Sequence, residues 1–149
     1  SAPQFILGIT FGSGSIIAYS LQSNIFSFSL AVLYLGVIAW IISFDTYYAL
    51  EDKEDDLRIN INSTAVLWGD NAIKYAQILH LGFYASLLLI GIVNQFSYVF
   101  FLNFIILMAL FFYQRELIKS NKFIEGFKIN NLVGVVALIS FAFEIIYLN

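Results

Sequence analysis

Residues 28–48 decide the fold of this chain, and they read FSLAVLYLGVIAWIISFDTYY. The stretch carries no charge before Asp45, and it has the length of about 20 residues that a helix needs to cross the hydrocarbon core of a bilayer. It lacks the strict alternation of polar and apolar residues that a membrane β-strand shows. Because a backbone in lipid must satisfy its hydrogen bonds internally, the stretch predicts a transmembrane helix.

Four further apolar stretches of similar length accompany it. They run over about residues 3–21, 72–93, 96–113 and 132–148, with polar breaks at 22–24 and 94–95. No Asp, Glu, Lys or Arg occurs in residues 1–44 or 75–114. With 60% apolar and only 11% charged residues, the chain has too little charge to cover the surface of a water-soluble domain. The sequence therefore predicts an all-α, polytopic transmembrane helical bundle of about five spans.

The cysteine count and the first residues bear on three further features. The chain contains no cysteine, so a disulfide framework and a thiolate metal site are both excluded. It opens Ser-Ala-Pro, without an initiator Met, a basic segment or a cleavage site, so the first span does not read as a signal peptide. We expect the sequence to be a piece of a longer protein.

All seven basic residues lie in two of the four connections between the predicted spans. They are Lys53, Arg58 and Lys74 in the first of these connections, and Arg115, Lys119, Lys122 and Lys128 in the second. With five spans, both connections fall on the same side of the membrane. The positive-inside rule predicts that this side is cytoplasmic, with the N-terminus on it and the C-terminus outside.

The connection between the second and third spans is acidic, and with its flanks it reads DTYYALEDKEDDLRININSTAVLWGD from Asp45 to Asp70. Six of the ten acidic residues lie between Asp45 and Asp56. If the second helix continues past the membrane edge, Asp52 and Asp56 lie one turn apart, and Asp45 lies two turns before Asp52 on the same face. An acid at the hydrocarbon boundary is costly and usually functional.

This spacing favours a bound cation. Two carboxylates about 6 Å apart repel by roughly 3 kcal/mol at an effective dielectric near 20, and Lys53 and Arg58 offset only part of that repulsion. Partial protonation or a divalent cation relieves the rest. Oxygen ligands with one or two carboxylates suit Mg²⁺, which takes water and phosphate oxygens as its other ligands. A solvated acidic loop explains the same composition, so spacing alone leaves both interpretations open.

The residues around the acids carry a longer pattern, which is Asp45-Thr46, Tyr48-Ala49, Asp52-x-x-Asp55-Asp56, Ser63-Thr64-Ala65 and Gly69. This pattern closely resembles the second aspartate-rich motif of the UbiA superfamily, approximately YDTxYAxxDxxDD, then GxKSTA and a later Gly. Within that superfamily the chain looks most like the 4-hydroxybenzoate polyprenyltransferases of ubiquinone biosynthesis. The Pro-Gln-Phe opening and the layout of spans resemble helices five to nine of the UbiA fold, so the resemblance covers the whole chain.

The chain departs from the family pattern in several places. Phe44 stands where Tyr is usual, and Asn60 and Asn62 stand where the family usually has Gly and Lys before Ser63. The first aspartate-rich motif of the family, Asn-Asp-x-x-Asp, does not occur. We therefore expect residues 1–149 to be the C-terminal part of a single membrane prenyltransferase domain, without the N-terminal half and inactive alone.

The resemblance implies the Mg²⁺-dependent transfer of a polyprenyl group from polyprenyl diphosphate to the ring of 4-hydroxybenzoate. It implies that Asp52 and Asp56 hold Mg²⁺, with Asp55 as an auxiliary ligand. Asp45 is the third expected catalytic residue, which positions the acceptor or a proton-accepting network. The residues expected to bind substrate are Arg58, Tyr48, Asn62 and Ser63.

The implied partners are polyprenyl diphosphate, an aromatic acceptor, the lipid bilayer and the missing N-terminal half, and no nucleic acid. The implied location is the bacterial inner membrane or the mitochondrial inner membrane, with the aspartate-rich loop on the cytoplasmic or matrix side. Two alternatives stay open. One is a sister prenyltransferase that uses a naphthoate, homogentisate or a porphyrin. The other is a cation-binding transport subunit, although the clustering of acids at one membrane edge counts against transport.

Four residues inside the spans have a structural and a functional interpretation. We interpret His80, the only histidine, as a packing residue bonded to a neighbouring helix rather than as a base. Glu144 is an intramembrane acid and thus a functional suspect, but its place near the chain end favours a helix contact or an interfacial role. Gly8 and Gly12 predict close helix packing.

The connection between the fourth and fifth spans is a separate case. Residues 114–127 predict a short surface helix or a solvated loop.

Overall fold

The computed structural model describes residues 2–21 and 27–147. Within these residues the chain forms seven α-helices and no β-strand. The helices are α1 Pro3–Ser20, α2 Phe28–Glu51, α3 Lys53–Arg58, α4 Thr64–Trp68, α5 Ala72–Val93, α6 Tyr98–Lys119 and α7 Phe123–Tyr147, with a 3₁₀ turn at Gly69–Asn71. The predicted break at 22–24 and the predicted end of the last span at Leu148 lie outside the described residues.

Within the described residues, four segments are long and apolar enough to cross a membrane. They are α2, the segment Thr64–Val93, α6 and α7. The remaining apolar helix, Pro3–Ala18, is shorter than the others and falls below the usual length of about 20 residues. The predicted all-α transmembrane bundle is confirmed, with four of the expected spans at full length. The chain is an integral membrane protein.

The predicted connection at 114–127 is wrong in both of its forms, because α6 and α7 take up most of it. Glu116 lies one turn before Lys119, and the two side chains form an ion pair of 2.7 Å that supports the last turn of α6. The chain then reverses at Asn121, whose φ is 58°. The N–H of Lys122 donates to the carbonyl of Leu117 at 3.0 Å, which is the bond that closes a Schellman motif.

Both basic connections lie at the same end of the bundle, which we call the loop end. There Tyr47 of α2, Ala76 of α5 and Ile118 of α6 pack in one buried cluster, with Phe127 of α7 against it. The first residues of α5 and α7 thus meet the last residues of α2 and α6. The prediction that the two basic connections share a side agrees with this packing.

The other end of the bundle, the opposite end, is held by polar contacts between helix termini. The Nδ2 of Asn94, after α5, donates to the Oγ of Ser29 in α2 at 3.0 Å. Glu144 of α7 accepts from the N–H of Ser97 at 2.9 Å and from its Oγ at 2.6 Å. Ser97 is the N-cap of α6, so the predicted helix contact of Glu144 is confirmed.

Helix α1 packs closely against α2 through its glycines. A Cβ on Gly8 would lie 3.2 Å from the carbonyl oxygen of Ile38, and one on Gly12 would lie 3.2 Å from the ring of Tyr34. Such distances leave little room for any side chain. The close packing predicted for Gly8 and Gly12 is confirmed.

The core between α2 and α5 is aromatic and contains several buried polar groups, of which the Nε2 of His80 and the hydroxyl of Tyr84 have no hydrogen-bond partner among the described residues. Trp40 stacks on Phe83 with ring centroids 4.8 Å apart, and its Nε1 donates to the Oδ1 of Asn130 in α7 at 2.8 Å. His80 is fully buried, and its Nδ1 lies 3.3 Å from the Oγ of Ser43 in α2. The interpretation of His80 as a packing residue bonded to a neighbouring helix is confirmed.

Candidate functional site

The chain bends at Asp52, where α2 gives way to the short helix α3. Asp52 has φ −88° and ψ 5° and caps both helices. The expected continuous stripe from Asp45 to Asp56 on one straight helix is therefore wrong. Like charges one turn apart, such as Glu51 and Asp55, weaken a continuous helix at this point. The N–H of Asp56 still donates to the carbonyl of Asp52 at 2.9 Å, so these two acids remain one helical turn apart.

The expected cluster of three or four carboxylates is not formed within the described part of the chain. No three Asp, Glu, His or Cys side chains there come close enough to hold a metal ion. Asp55 instead accepts from Arg58 at 3.1 Å, and Glu54 lies 3.9 Å from the same guanidinium. Asp55 is therefore already paired with the guanidinium of Arg58 in the same loop.

Asp52 and Asp56 differ from Asp55, because neither has a basic partner among the described residues. Both are half-buried at the loop end. Mg²⁺ is commonly held by one or two carboxylates, with water and substrate phosphates as the remaining ligands. The pair fits part of such a ligand set, and the rest of the set has to come from other groups.

Arg58 lies at the rim of the loop. Its side chain is 73% exposed, and it stands in the last turn of α3, where a cation is favourable. Its contacts with Glu54 and Asp55 are exposed, and exposed ion pairs contribute little to stability. The guanidinium is therefore accessible to an anion.

The loop returns to the membrane through a left-handed turn at Asn60, whose φ is 55°. The N–H of Ile61 donates to the carbonyl of Asp56 at 2.9 Å, and the N–H of Asn60 donates to that of Leu57 at 3.4 Å. These two bonds form a Schellman motif, whose C′ position favours Gly and next Asn. This conformation explains how Asn60 stands where the family pattern has Gly. Asn62, which follows, is exposed.

The two ends of the loop are tied together by buried side chains. The Oγ1 of Thr46 in α2 lies 2.8 Å from the Oγ1 of Thr64 in α4. The N–H of Thr64 donates to the Oε1 of Gln4 in α1 at 3.0 Å, and the amide of Gln4 lies beside the carboxylate of Asp45, with which it interacts. We call Gln4, Asp45, Thr46 and Thr64 the loop base. Gln4, Thr46 and Thr64 were not predicted as functional, although the Pro-Gln-Phe, Asp-Thr and Ser-Thr-Ala matches contain all three.

Ser63 lies beside the loop base and is fully buried. Its Oγ has no hydrogen-bond partner among the described residues. A buried hydroxyl without a partner costs about 1–3 kcal/mol. The hydroxyl of Ser63 is therefore available to a hydrogen-bond partner where the loop returns to the membrane, and its expected role in substrate binding stays a prediction.

Aromatic side chains line α2 beneath the loop. Trp40, Phe44 and Tyr48 follow one another at intervals of four residues, so they lie on one face of the helix. The rings of Phe44 and Tyr48 lie 5.7 Å and 5.5 Å from that of Phe127 in α7, and Trp40 and Phe44 are 5.5 Å apart. We call these four residues the aromatic wall. Tyr48 is its exposed outer member, close to the acids.

Comparisons with known proteins agree with this architecture. The family model described as the UbiA prenyltransferase family matches residues 1–132. The chain is similar to the 4-hydroxybenzoate octaprenyltransferase of Serratia proteamaculans, with 35% identity over 143 residues, which cover 94% of the chain and 49% of that protein. The enzymes of the same name from Salmonella paratyphi B and Salmonella newport are 34% identical over 143 residues, with the same coverage.

The chain thus spans about half the length of the curated relatives that it matches. No solved structure matches it. The family model covers most of the chain, including α1, the acidic loop and its return through Ser63. The chain therefore belongs to the UbiA prenyltransferase family.

Proposed function

We propose that this chain is the C-terminal part of a membrane prenyltransferase domain, and that its loop end binds the diphosphate of a polyprenyl donor. The observation that carries the proposal is the pair Asp52 and Asp56, which lie one turn apart without a basic partner among the described residues. Family membership and the names of the relatives support the same activity.

Asp52 and Asp56 would hold Mg²⁺, with Asp55 as an auxiliary ligand once it leaves Arg58. Bound Mg²⁺ neutralises charge on the diphosphate and so makes it a better leaving group. Arg58, exposed at the rim, binds a phosphate oxygen through a charge-assisted hydrogen bond. Asn62 and Ser63 donate further hydrogen bonds where the loop returns to the membrane.

In the proposed reaction the allylic C–O bond of the donor breaks, and its electron pair leaves with the diphosphate. A C–C bond then forms with the ring carbon ortho to the hydroxyl of 4-hydroxybenzoate, and the ring loses a proton from that carbon. The aromatic wall below the loop excludes water from the reacting carbon. It also offers ring faces to the positive charge that develops there, with Tyr48 nearest the acids.

The acceptor and the location are parts of the same proposal. The names of the relatives support 4-hydroxybenzoate and hence a step of ubiquinone biosynthesis. A prenyltransferase of the same family with another aromatic acceptor is the alternative, whereas nothing in the comparisons favours cation transport. We propose the bacterial or mitochondrial inner membrane, with the loop end on the cytoplasmic or matrix side, because all basic connections share that end.

The first experiment measures prenyl transfer in membranes that contain the whole gene product, with polyprenyl diphosphate, Mg²⁺ and radiolabelled 4-hydroxybenzoate. Asp52→Ala and Asp56→Ala should each lower the rate at least about 100-fold, or about 2.7 kcal/mol in the barrier. Asp70→Ala is the matched control, since Asp70 is an exposed acid at the same end. Wild-type rates in both loop variants would refute the metal role.

Two further measurements test the acceptor and the missing half. Labelled naphthoate and homogentisate, offered in place of 4-hydroxybenzoate, should give far less product, and a preference for either would transfer the proposal to a sister enzyme. Residues 1–149 alone should transfer no prenyl group. The gene upstream of Ser1 should encode Asn-Asp-x-x-Asp on a helix, and turnover by the chain alone would contradict this half of the proposal.

A further inference from the structure

We propose that Gln4 and Asp45 are positioning residues, which act through the loop base to set the two acids and Ser63 for diphosphate binding. The inference rests on the proposed function and assigns Asp45 a different task from direct contact with the acceptor. It concerns how α1, which has no acid of its own, takes part in the site.

The loop between α2 and α4 has its two ends joined by one buried contact. Thr46 and Thr64 are both fully buried, and their hydroxyl oxygens lie 2.8 Å apart. The Oγ1 of Thr46 also donates to the carbonyl of Ile42 at 2.6 Å, so Thr64 has to be the donor in the contact between the two hydroxyls. The entry and the exit of the loop are therefore held at a fixed separation.

Gln4 adds the third helix to this contact. Its Oε1 accepts the N–H of Thr64 at 3.0 Å, and its amide lies beside the carboxylate of Asp45, with which it interacts. The side chain is buried, so neither interaction exchanges freely with water. The amide at position 4 can accept from a backbone N–H with its oxygen and donate to a carboxylate with its nitrogen at the same time. A Glu or a Leu of similar size cannot do both.

Asp45 is half-buried at the membrane edge, and its carboxylate is engaged by Gln4. Among the described residues it has no Lys or Arg partner. A carboxylate in such a place needs donors to offset its lost hydration, and the amide of Gln4 supplies one. The negative charge is thereby used to hold α1 and α4 against α2.

The positions in the chain make this link relevant to the reaction. Asp52 follows Asp45 by two helical turns in α2, and Ser63 directly precedes Thr64. A shift of the loop base would therefore move Asp52 and Ser63, which lie on the two sides of the proposed diphosphate site, relative to each other. Displacements of about 1 Å in a reactive site lower rates by as much as about 100-fold. We therefore expect the loop base to control affinity for the metal–diphosphate pair.

The test exchanges the two partners. In the whole gene product, Gln4→Leu and Gln4→Glu should each raise the apparent KM for Mg²⁺ and for polyprenyl diphosphate about tenfold. Asp45→Asn should raise both by less, because the amide oxygen of Asn still accepts from Gln4. The double exchange Gln4→Glu with Asp45→Asn should recover most of the loss. In it the introduced carboxylate accepts the N–H of Thr64, and the introduced amide donates in the opposite direction.

The matched control is Gln114→Leu. Gln114 is also a buried amide that joins two helices, since its Nε2 donates to the carbonyl of Gly126 at 2.7 Å, but it makes no bond to the loop. Its loss should lower Tm as much as Gln4→Leu does and leave both KM values unchanged. Equal KM values for Gln4→Leu and Gln114→Leu would overturn the inference.

Two other outcomes separate the possible failures. An exchange variant as impaired as Gln4→Glu alone would show that the pairing of positions 4 and 45 does not set the loop base, and would also overturn the inference. Electron paramagnetic resonance of Mn²⁺ with inorganic diphosphate measures the same affinity without turnover. If the wild type transfers no prenyl group, the proposed function fails, and the Mn²⁺–diphosphate titration of the same variants still decides for or against the loop base.

Discussion

The two ends of the bundle both carry acids near the membrane edge, and they use them in different ways. Glu144 at the opposite end is only 4% exposed and accepts two hydrogen bonds from Ser97. Asp52 and Asp56 at the loop end are half-buried and lack a basic partner in the described part of the chain. Position along a span thus does not separate the acid that holds a helix end from the two acids that we propose to bind a ligand, whereas the hydrogen-bond partners of these acids do.

The backbone does not distinguish the two ends. Helices α3 and α6 at the loop end, and α5 at the opposite end, all end in a left-handed residue. These residues are Asn60, Asn121 and Gln95, with φ of 55°, 58° and 54°. The same turn therefore serves a short connection and the return of a long loop. The difference between the ends lies in side-chain chemistry.

The largest expected effect removes the loop acids without changing their shape. Asp52→Asn together with Asp56→Asn should lower prenyl transfer by about 1,000-fold, or about 4 kcal/mol in the barrier, because neutral amides bind Mg²⁺ poorly. The free energy of unfolding should hold or rise slightly, since the repulsion between the acids is gone. Initial rates in membranes measure the effect. Glu144→Gln should leave the rate intact, and an equal loss there would erase the contrast between the ends.

The second effect concerns stability at the opposite end. Glu144→Ala should lower the free energy of unfolding by about 2–3 kcal/mol, because it leaves the N–H and the hydroxyl of Ser97 without an acceptor. Reversible unfolding in mixed detergent micelles measures the change. Glu116→Ala is the control, since its side chain is 69% exposed, and it should shift stability by under about 0.5 kcal/mol. Equal losses of unfolding free energy in Glu144→Ala and Glu116→Ala would mean that the burial of Glu144 does not contribute to stability.

The third effect tests the shared turn. Asn60→Val should cost about 1–2 kcal/mol, because a β-branched residue is disfavoured in the left-handed region. Gln95→Gly should instead stabilise the protein by up to about 1 kcal/mol. Both values come from the same unfolding assay. A stabilising Asn60→Val would contradict the left-handed turn at the loop end.

The smallest effect compares two basic residues at the loop end. Arg58→Gln should raise the KM for polyprenyl diphosphate about fivefold, whereas Lys119→Gln should not change it. Both side chains are exposed and paired with acids, so each should shift stability by under about 0.5 kcal/mol. Steady-state kinetics in membranes distinguishes them. Equal KM values would remove Arg58 from the proposed site.

The helices could be predicted from the sequence more fully than the candidate site could. The apolar stretches and the packing of Gly8 and Gly12 followed from composition and spacing, because lipid permits few structures. The straight helix through Asp52 was wrong, since like charges favour a bend that periodicity does not reveal. The roles of Asp52, Asp56 and Arg58 in binding stay predictions. Gln4 was missed because a lone glutamine in an apolar helix gives no signal of its partners.

The sequence by itself determined that this chain crosses a membrane as helices, and which segment carries its charge. Both follow from local physics, namely the cost of exposed backbone and of charge in lipid. Only the tertiary structure decided that Glu144 binds the N-cap residue of α6, that Asp45 interacts with Gln4, and that Ser63 is buried without a hydrogen-bond partner among the described residues. These facts depend on contacts between helices that are far apart in the chain, and no local pattern encodes them.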